Sequence, residues 1–304
     1  MSVADGGGTM VNQVDDFPHG AEAFRPRLPG GGRAVGSSRS TTVESFLEGE
    51  NMRRLVTSAA ALAALCIAAP AAAIVNGDLD GEQHANVGGL VASEVYSDGT
   101  WIYCSGTLVD PSVFLTSAHC GEGHAGTDRV RVTFDTAYQD GDVVHEGTFV
   151  PDPEYASGLS SPHDIAVVLL DEPVPGVDPA DLPEAGSLGD LPQDQLFTSV
   201  GYGAYDVVNA PGGQQFLYDD QRRVSTSSRL NATNKSWLRI SMIEPLGNGG
   251  TCNGDSGGPN SLGTTDTIAG LTTTGDMPCG ATNVILRLDT ETVRDFLDAY
   301  VDLP

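Results

Sequence analysis

Lysine is almost missing from this chain. Lys235 is the only one in 304 residues, and 41 Asp and Glu stand against 15 Lys and Arg, for a formal net charge of −26. So acidic a chain repels phosphate backbones and anionic headgroups, which argues against nucleic-acid and anionic-membrane partners. It fits a soluble exported protein, including one working at high salt, although a composition high in Asp and low in Lys accounts for it more simply. No Cys-x-x-Cys spacing occurs among the five cysteines, so a zinc site is the weaker reading for them. Helical periodicity is poor from Val87 to Leu170, which leaves strands as the main building material there.

Two stretches at the start stand apart from the rest. Residues 53–73 run from Arg53-Arg54 through an Ala-rich apolar segment to Pro70 and an Ala71-x-Ala73 end, the pattern of a secretory signal peptide. A membrane anchor is the alternative. The run holds Thr57 and Ser58 and is broken by Pro70, so it is weakly hydrophobic for a span. Leu65 is too large for the small residue expected before a lipid-bearing cysteine, which argues against lipidation at Cys66. Met52 lies directly before Arg53, so we expect translation to start there, with 1–51 an upstream extension that is disordered by composition. A genuine disordered cytoplasmic tail is the alternative for that stretch.

Residues 74–304 are then the mature chain, 231 residues with 34 Asp and Glu against 9 Lys and Arg, enough for one all-β domain of double-barrel size. Cys104, Cys120, Cys252 and Cys279 remain, an even number that reads as two disulfides in an exported chain. Spacing and local motif suggest Cys104–Cys120 and Cys252–Cys279, each loop contributing roughly 3–4 kcal/mol in the chain-entropy account. Short apolar stretches at 87–92, 103–108, 130–134 and 165–170 suggest an antiparallel sandwich or barrel. Residues 171–196 carry five prolines and read as a crossing between two halves. Strands are expected again at 197–200, 222–226, 237–243, 267–272 and 283–287. Val293, Phe296, Leu297 and Tyr300 fall on one face of an amphipathic helix over 291–301.

The chemistry centres on Thr251-Cys252-Asn253-Gly254-Asp255-Ser256-Gly257-Gly258-Pro259. Ser256 offers a hydroxyl that becomes nucleophilic once a base takes its proton. Glycines on either side permit a tight turn in which the N–H groups of Gly254 and Ser256 converge on one oxyanion. Asp255 is a carboxylate that needs a cationic partner if buried. The plainer reading, a Gly-rich surface turn that happens to contain Ser, fails if a base and an orienting acid exist elsewhere. The mature histidines are His84, His119, His124, His145 and His163, and an arbitrary one is a satisfied or exposed side chain. His119 differs, because small residues precede it and Cys120 follows it. Asp164 opens an apolar run, so it should be half-buried and in need of a donor, which a histidine Nδ1–H would supply.

His119, Asp164 and Ser256 occur in that order, each in its own motif. Together with Ile74-Val75-Asn76-Gly77, residues 116–120, 164–170 and 253–259, Gly201-Tyr202-Gly203 and the C-terminal helix, they make the chain resemble the trypsin/chymotrypsin family of serine proteases, in a secreted, bacterial-type form, over essentially all of 74–304. The chain order also separates it from α/β-hydrolases and subtilisins. The resemblance implies two six-stranded antiparallel β-barrels with the site in the cleft between them. It implies that Ser256 attacks a peptide carbonyl, His119 moves the proton, Asp164 orients the imidazole, and the Gly254 and Ser256 N–H groups form the oxyanion hole. It pairs the α-ammonium of Ile74 with Asp255. Ala73, not Arg or Lys, precedes Ile74, so signal cleavage itself is expected to expose that amine.

The same resemblance puts the specificity pocket at Gly250, Thr251, Thr273, Thr274 and Gly275. Gly250 stands where tryptic members have an aspartate, so an apolar preference is expected, with Asp276 and the region of Asn283 able to alter the pocket charge. Thr274 stands where an aromatic is usual, and Tyr202 where Trp is usual. The implied partners are protein or peptide substrates, with no nucleic acid, no membrane after signal cleavage, and a monomeric state. No cofactor is expected; Asp135 and Asp140-Gly141-Asp142 lie near where some relatives bind calcium, but match no full loop signature and read better as a solvated acidic turn. Asn231-Ala232-Thr233 and Asn234-Lys235-Ser236 fit the glycosylation pattern. The alternative function is a catalytically silent protease fold acting as a binding module, which usually shows as a changed triad residue.

Overall fold

Strands dominate because the apolar stretches are short, rich in β-branched residues, and separated by Gly, Asp and Pro that cannot continue a ladder. The computed structural model describes residues 74–122, 128–158 and 161–304. The expectations for 1–51 and 52–73, and His124, lie outside the described residues.

After a two-residue strand, β1 (Asp78–Leu79), the chain builds a first closed barrel from β2 (Val87–Val91), β3 (Ile102–Asp110), β4 (Val113–Thr116), β5 (Arg129–Thr133), β6 (His145–Pro151) and β7 (Ala166–Leu170). All its pairings are antiparallel, in the order β2-β3-β4-β7-β6-β5. The proline-rich crossing carries no strand. It leads to β8 (Leu196–Gly201), an excursion of two paired strands, β9 (Asp206–Ala210) and β10 (Gly213–Leu217), and then β11 (Arg223–Thr233), β12 (Trp237–Ser241), β13 (Pro259–Leu262), β14 (Ile268–Gly275) and β15 (Thr282–Arg287). The second barrel runs β11-β12-β15-β14-β13-β8 and closes through β8 on β11, with β1 added along β11. Two closed six-stranded antiparallel barrels are the expected architecture.

Four features differ from the sequence expectation. β4 is only four residues long and β13 opens on a proline, so neither carries a visible period. β6 alternates polar and apolar residues too weakly to stand out. The β9–β10 hairpin is largely exposed and so has no apolar face to read. The C-terminal helix α1 (Glu291–Leu297) ends four residues earlier than expected; beyond it the Tyr300 N–H closes on the Leu297 carbonyl three residues back, a turn in place of a continued α-helical ladder.

One hydrophobic cluster joins all three parts. Val113, Leu115, Ile165 and Val167 of the first barrel pack with Ile268, Leu271, Leu286 and Leu288 of the second, and Val293, Phe296 and Leu297 of the helix close over them. The cleft between the barrels therefore has a fixed geometry behind it. Leu297 is fully buried, so Leu297→Ala should destabilise the protein by about 2–5 kcal/mol in urea unfolding. A loss below about 0.5 kcal/mol, the ordinary range for a surface change, would mean that the helix is not part of this core.

Candidate active site

The first barrel supplies a histidine and an acid. His119 sits in a single 3-10 turn, Ala118–Gly121, directly after β4, and the disulfide from Cys120 to Cys104 of β3 pins that turn. Asp164 lies two residues before β7, the strand paired with β4, so sheet register brings the two together. Asp164 is buried, and its carboxylate accepts the His119 backbone N–H at 2.9 Å and lies 2.8 Å from His119 Nδ1. An ionised carboxylate can only accept, so Nδ1 carries the proton and Nε2 is left with a lone pair, the tautomer a general base needs.

The second barrel supplies the serine, in the loop before β13. Gly254 adopts φ +93°, which a side chain would make costly. The loop is clamped by Ser105 of β3: its N–H donates to the Ser256 carbonyl at 2.9 Å, and its hydroxyl to the Gly254 carbonyl at 3.0 Å. Those bonds turn the carbonyls of 254 and 256 toward the first barrel. Among the described residues no acceptor is bonded to the Gly254 or Ser256 N–H, whereas the Asp255, Gly257 and Gly258 N–H groups are all engaged. Two free N–H groups flanking a half-exposed serine form a ready site for an oxyanion. His119 and Ser256 line one cavity of about 300 Å³.

Asp255 points the other way, into the protein. It is fully buried, and its oxygens accept the Gly203 and Cys252 N–H groups, each at 2.8 Å. Burial drives its carboxyl up to about 7, and those two N–H bonds pull in the opposite direction without cancelling it. The Gly201-Tyr202-Gly203 motif exists to admit this group: a Cβ on Gly201 would lie 2.2 Å from an Asp255 oxygen, and one on Gly203 would lie 2.5 Å from its carboxyl carbon. Tyr202 between them is buried, with its hydroxyl donated to the Asp135 carbonyl at 2.7 Å. Ile74 is also fully buried, and Val75 is bridged to Gly250.

Of the expected pocket residues, Thr251, Thr273, Thr274 and Gly275 line the cavity with Ser256, while Gly250 does not. Gly250 lies against the side chain of Met242: a Cβ there would meet Met242 Cγ at 2.1 Å, so no aspartate fits. Asp276 lines the cavity, yet its carboxylate is engaged by the N–H groups of Gly280, Ala281 and Thr282. Asn283 is buried inside the second barrel, bonded to Asn260 and Thr272, and does not reach the cavity wall. Both expected disulfides are present. The acidic residues near 135–142 do not converge: Asp135 meets Thr133 and Asp142 meets the Gln139 N–H, and among the described residues no three ligand atoms cluster there. The sequence reading missed Ser105, whose partner Gly254 lies 149 positions away, and Met242, which carries no local sign that it fills the space beside Gly250.

Comparison with known proteins bears on the family and the fold. A family model described as Trypsin matches residues 81–292. Chymotrypsin-C of Rattus norvegicus is 33% identical over 185 residues, covering 56% of this chain and 65% of that protein, a little less than two thirds of its length. Trypsin of Saccharopolyspora erythraea is 30% identical over 164 residues, covering 52% of this chain and 69% of that protein. Relatives thus come from mammals as well as a bacterium, and do not single out a bacterial type. The solved structure of HL collagenase superposes with a TM-score of 0.56 at 17% identity, over 75% of this chain and 100% of that one, a likeness of fold. With the family match spanning well over half of its length, the chain belongs to the trypsin family of serine proteases.

Proposed function

We propose that the chain is a secreted serine endopeptidase that works through His119, Asp164 and Ser256 and an acyl-enzyme intermediate. The observation that carries this reading is the doubly bonded His119–Asp164 pair opening on the same cavity as Ser256. Ser256 Oγ attacks the carbonyl carbon of the scissile bond while His119 Nε2 takes its proton. Charge developing on the carbonyl oxygen is met by the Gly254 and Ser256 N–H groups. The tetrahedral intermediate collapses as His119 protonates the leaving amine. Water then repeats the sequence on the ester and restores the serine. Asp164 stays ionised and steadies the imidazolium.

The primary pocket favours an apolar side chain. The hydroxyls of Thr272 and Thr273 are engaged with Asn260 and the Val284 carbonyl, Asp276 is capped, and Met242 blocks any side chain at Gly250. Among the described residues no Lys or Arg lines the cavity, and its histidine, His119, is held by Asp164, which argues against a preference for acidic residues as well.

Activity begins when the chain is cut before Ile74. Two observations support this. Ile74 has φ +47°, a region that costs a β-branched residue roughly 1–3 kcal/mol, and that torsion ceases to exist once the preceding peptide bond is gone. The new α-ammonium would also give buried Asp255 its missing cation. Because Ala73 ends the leader motif, the cleavage that exports the chain also activates it, with no separate zymogen stage. Among the described residues no helix is long and apolar enough to cross a membrane.

The central test is covalent labelling. Ser256→Ala should abolish reaction with a serine-directed phosphonate while circular dichroism stays unchanged; persistent labelling refutes the assignment. A secreted chain that begins at Ile74 but cleaves no peptide would favour the binding-module alternative. Keeping one extra residue before Ile74 should lower kcat by about 10²–10³, as for a lost oxyanion donor. Full activity in that extended chain would overturn the ammonium–Asp255 pairing.

The same pairing fixes a pH signature. In the uncut chain the Asp255 pKa is raised above its ordinary 3.8 to about 7, so its stabilising contribution is complete below 3.8 and lost as pH rises through about 7. Asp255→Asn should remove that loss in urea unfolding of the uncut chain, yet abolish most activity of the cut one. An unchanged pH profile would show that Asp255 does not titrate there.

A further inference from the structure

Little regular structure holds the segment between Ile74 and β2. β1 contributes two residues, and Val75 one bridge. A single buried ion pair does more. Asp80 and Arg222 are both fully buried at the side chain, with Arg222 Nε donating to Asp80 Oδ2 at 2.9 Å. The rest of the guanidinium reaches three carbonyls: Val87 at 2.8 Å, Phe134 at 3.1 Å and Gly81 at 3.0 Å. Those acceptors belong to the start of β2, the end of β5 and the N-terminal segment. Asp80 is secured in turn by the backbone N–H of His84 at 3.1 Å and by His84 Nδ1, and its own N–H returns to the Arg222 carbonyl. A lone buried charge would be costly, but here every partner is filled.

We propose that the Asp80–Arg222 pair is the anchor that presents the freed Ile74 amine to Asp255, and so acts as a positioning pair for the oxyanion hole. This rests on the serine-protease reading and on cleavage before Ile74. The argument is one of tether length. Asp80 is six residues from Ile74; the two-residue β1 and the single Val75 bridge are too short to hold alone, and once they are lost with the pair the next attachment is Val87 in β2, thirteen away. Effective concentration falls as roughly the −3/2 power of tether length, so losing the anchor lowers it about threefold.

The groups facing the pair are His84, Tyr202 and, through the Tyr202 hydroxyl, the Asp135 carbonyl; Tyr218, itself facing Asp98, faces Asp255. The active form carries a protonated α-amine, whose free value is about 7.7–8.0. Insertion beside a carboxylate raises that value, and activity is lost as pH rises through the raised value. A threefold weaker insertion moves this alkaline midpoint down by about half a pH unit and leaves activity near pH 7 almost unchanged.

The scarcity of lysine makes a direct test feasible. The cut chain has two amines, Ile74 Nα and exposed Lys235 Nζ. Reductive methylation read by mass spectrometry gives the Ile74 rate with Lys235 as internal reference. In the wild type Ile74 should be the slower. In Asp80→Asn it should react about threefold faster while Lys235 is unchanged, and the alkaline midpoint should fall by about half a unit. If Asp80→Asn does not fold, Arg222→Lys decides by the same two readouts, since an ammonium cannot span four acceptors at once. Unchanged Ile74 labelling and an unchanged alkaline limb in a folded variant overturn the anchor, even if thermal stability drops. A wild type whose Ile74 reacts as fast as Lys235 overturns it too. A wild type with a protected Ile74 but no hydrolysis of any peptide leaves the anchor standing and refutes the protease reading instead.

Discussion

The burial of one carboxylate, Asp255, constrains much of what surrounds it. A carboxyl removed from water beside Ser256 must be given donors, space and, when ionised, a cation. The donors are the Gly203 and Cys252 N–H groups. The space is the missing Cβ at Gly201 and Gly203, two positions in a different strand-to-loop junction from the serine itself. Meeting those demands draws the backbone of 252–256 into a turn whose unengaged N–H groups include those of 254 and 256. The proposed oxyanion site is in this sense the outer face of a loop whose inner face is fixed by Asp255.

The first barrel completes the arrangement from the opposite side. Ser105 lies next to Cys104, and Cys104 is bonded to Cys120, the neighbour of His119. The residue that grips the carbonyls of Gly254 and Ser256 is thus one bond along the chain from the crosslink that steadies the histidine turn. Thr116 adds to this, donating to the Ser105 carbonyl at 2.8 Å, and Ser117 donates to the Thr272 carbonyl at 3.1 Å. Neither barrel alone holds the geometry. The shared core of β4, β7, β14, β15 and α1 keeps the two halves from shearing.

Much of this was legible in the sequence because the chemistry is concentrated in short runs. His119 with its cysteine, Asp164 at the head of an apolar run, and Ser256 among glycines each carry their own local signature. Strands with a strong apolar character, such as β2, β3 and β7, were legible for the same reason, and so was the crossing at 171–196. What escaped was settled by distant partners. Ser105 is one serine among many until Gly254, 149 positions away, is folded against it. Met242 carries no local sign that it will fill the space beside Gly250. β6 lacks a clear apolar period because one of its two buried positions is Gly147, and the β9–β10 hairpin because both of its faces are largely exposed. The helix end was misplaced because Val301 is buried without being helical, so periodicity counted it in.

Acidity and site chemistry are also separated in space. A chain of net charge −26 could easily have placed carboxylates in its cavity, and one, Asp276, does line it. Three consecutive N–H groups from residues 280–282 wrap that carboxylate, which fixes the loop behind Cys279 rather than offering a counter-ion to a bound side chain. At Gly250 the exclusion is steric, because the thioether of Met242 occupies the volume a longer side chain would need. Met242 is packed there with Ala204, Cys252 and Cys279, so the disulfide and the apolar filling behind the cavity form one unit. Placing a charge at position 250 would thus require two changes, a smaller residue at 242 and an acid at 250, and either alone leaves a void or a clash. The proposed apolar preference is in that sense built into the packing behind the cavity, where a single substitution cannot reverse it.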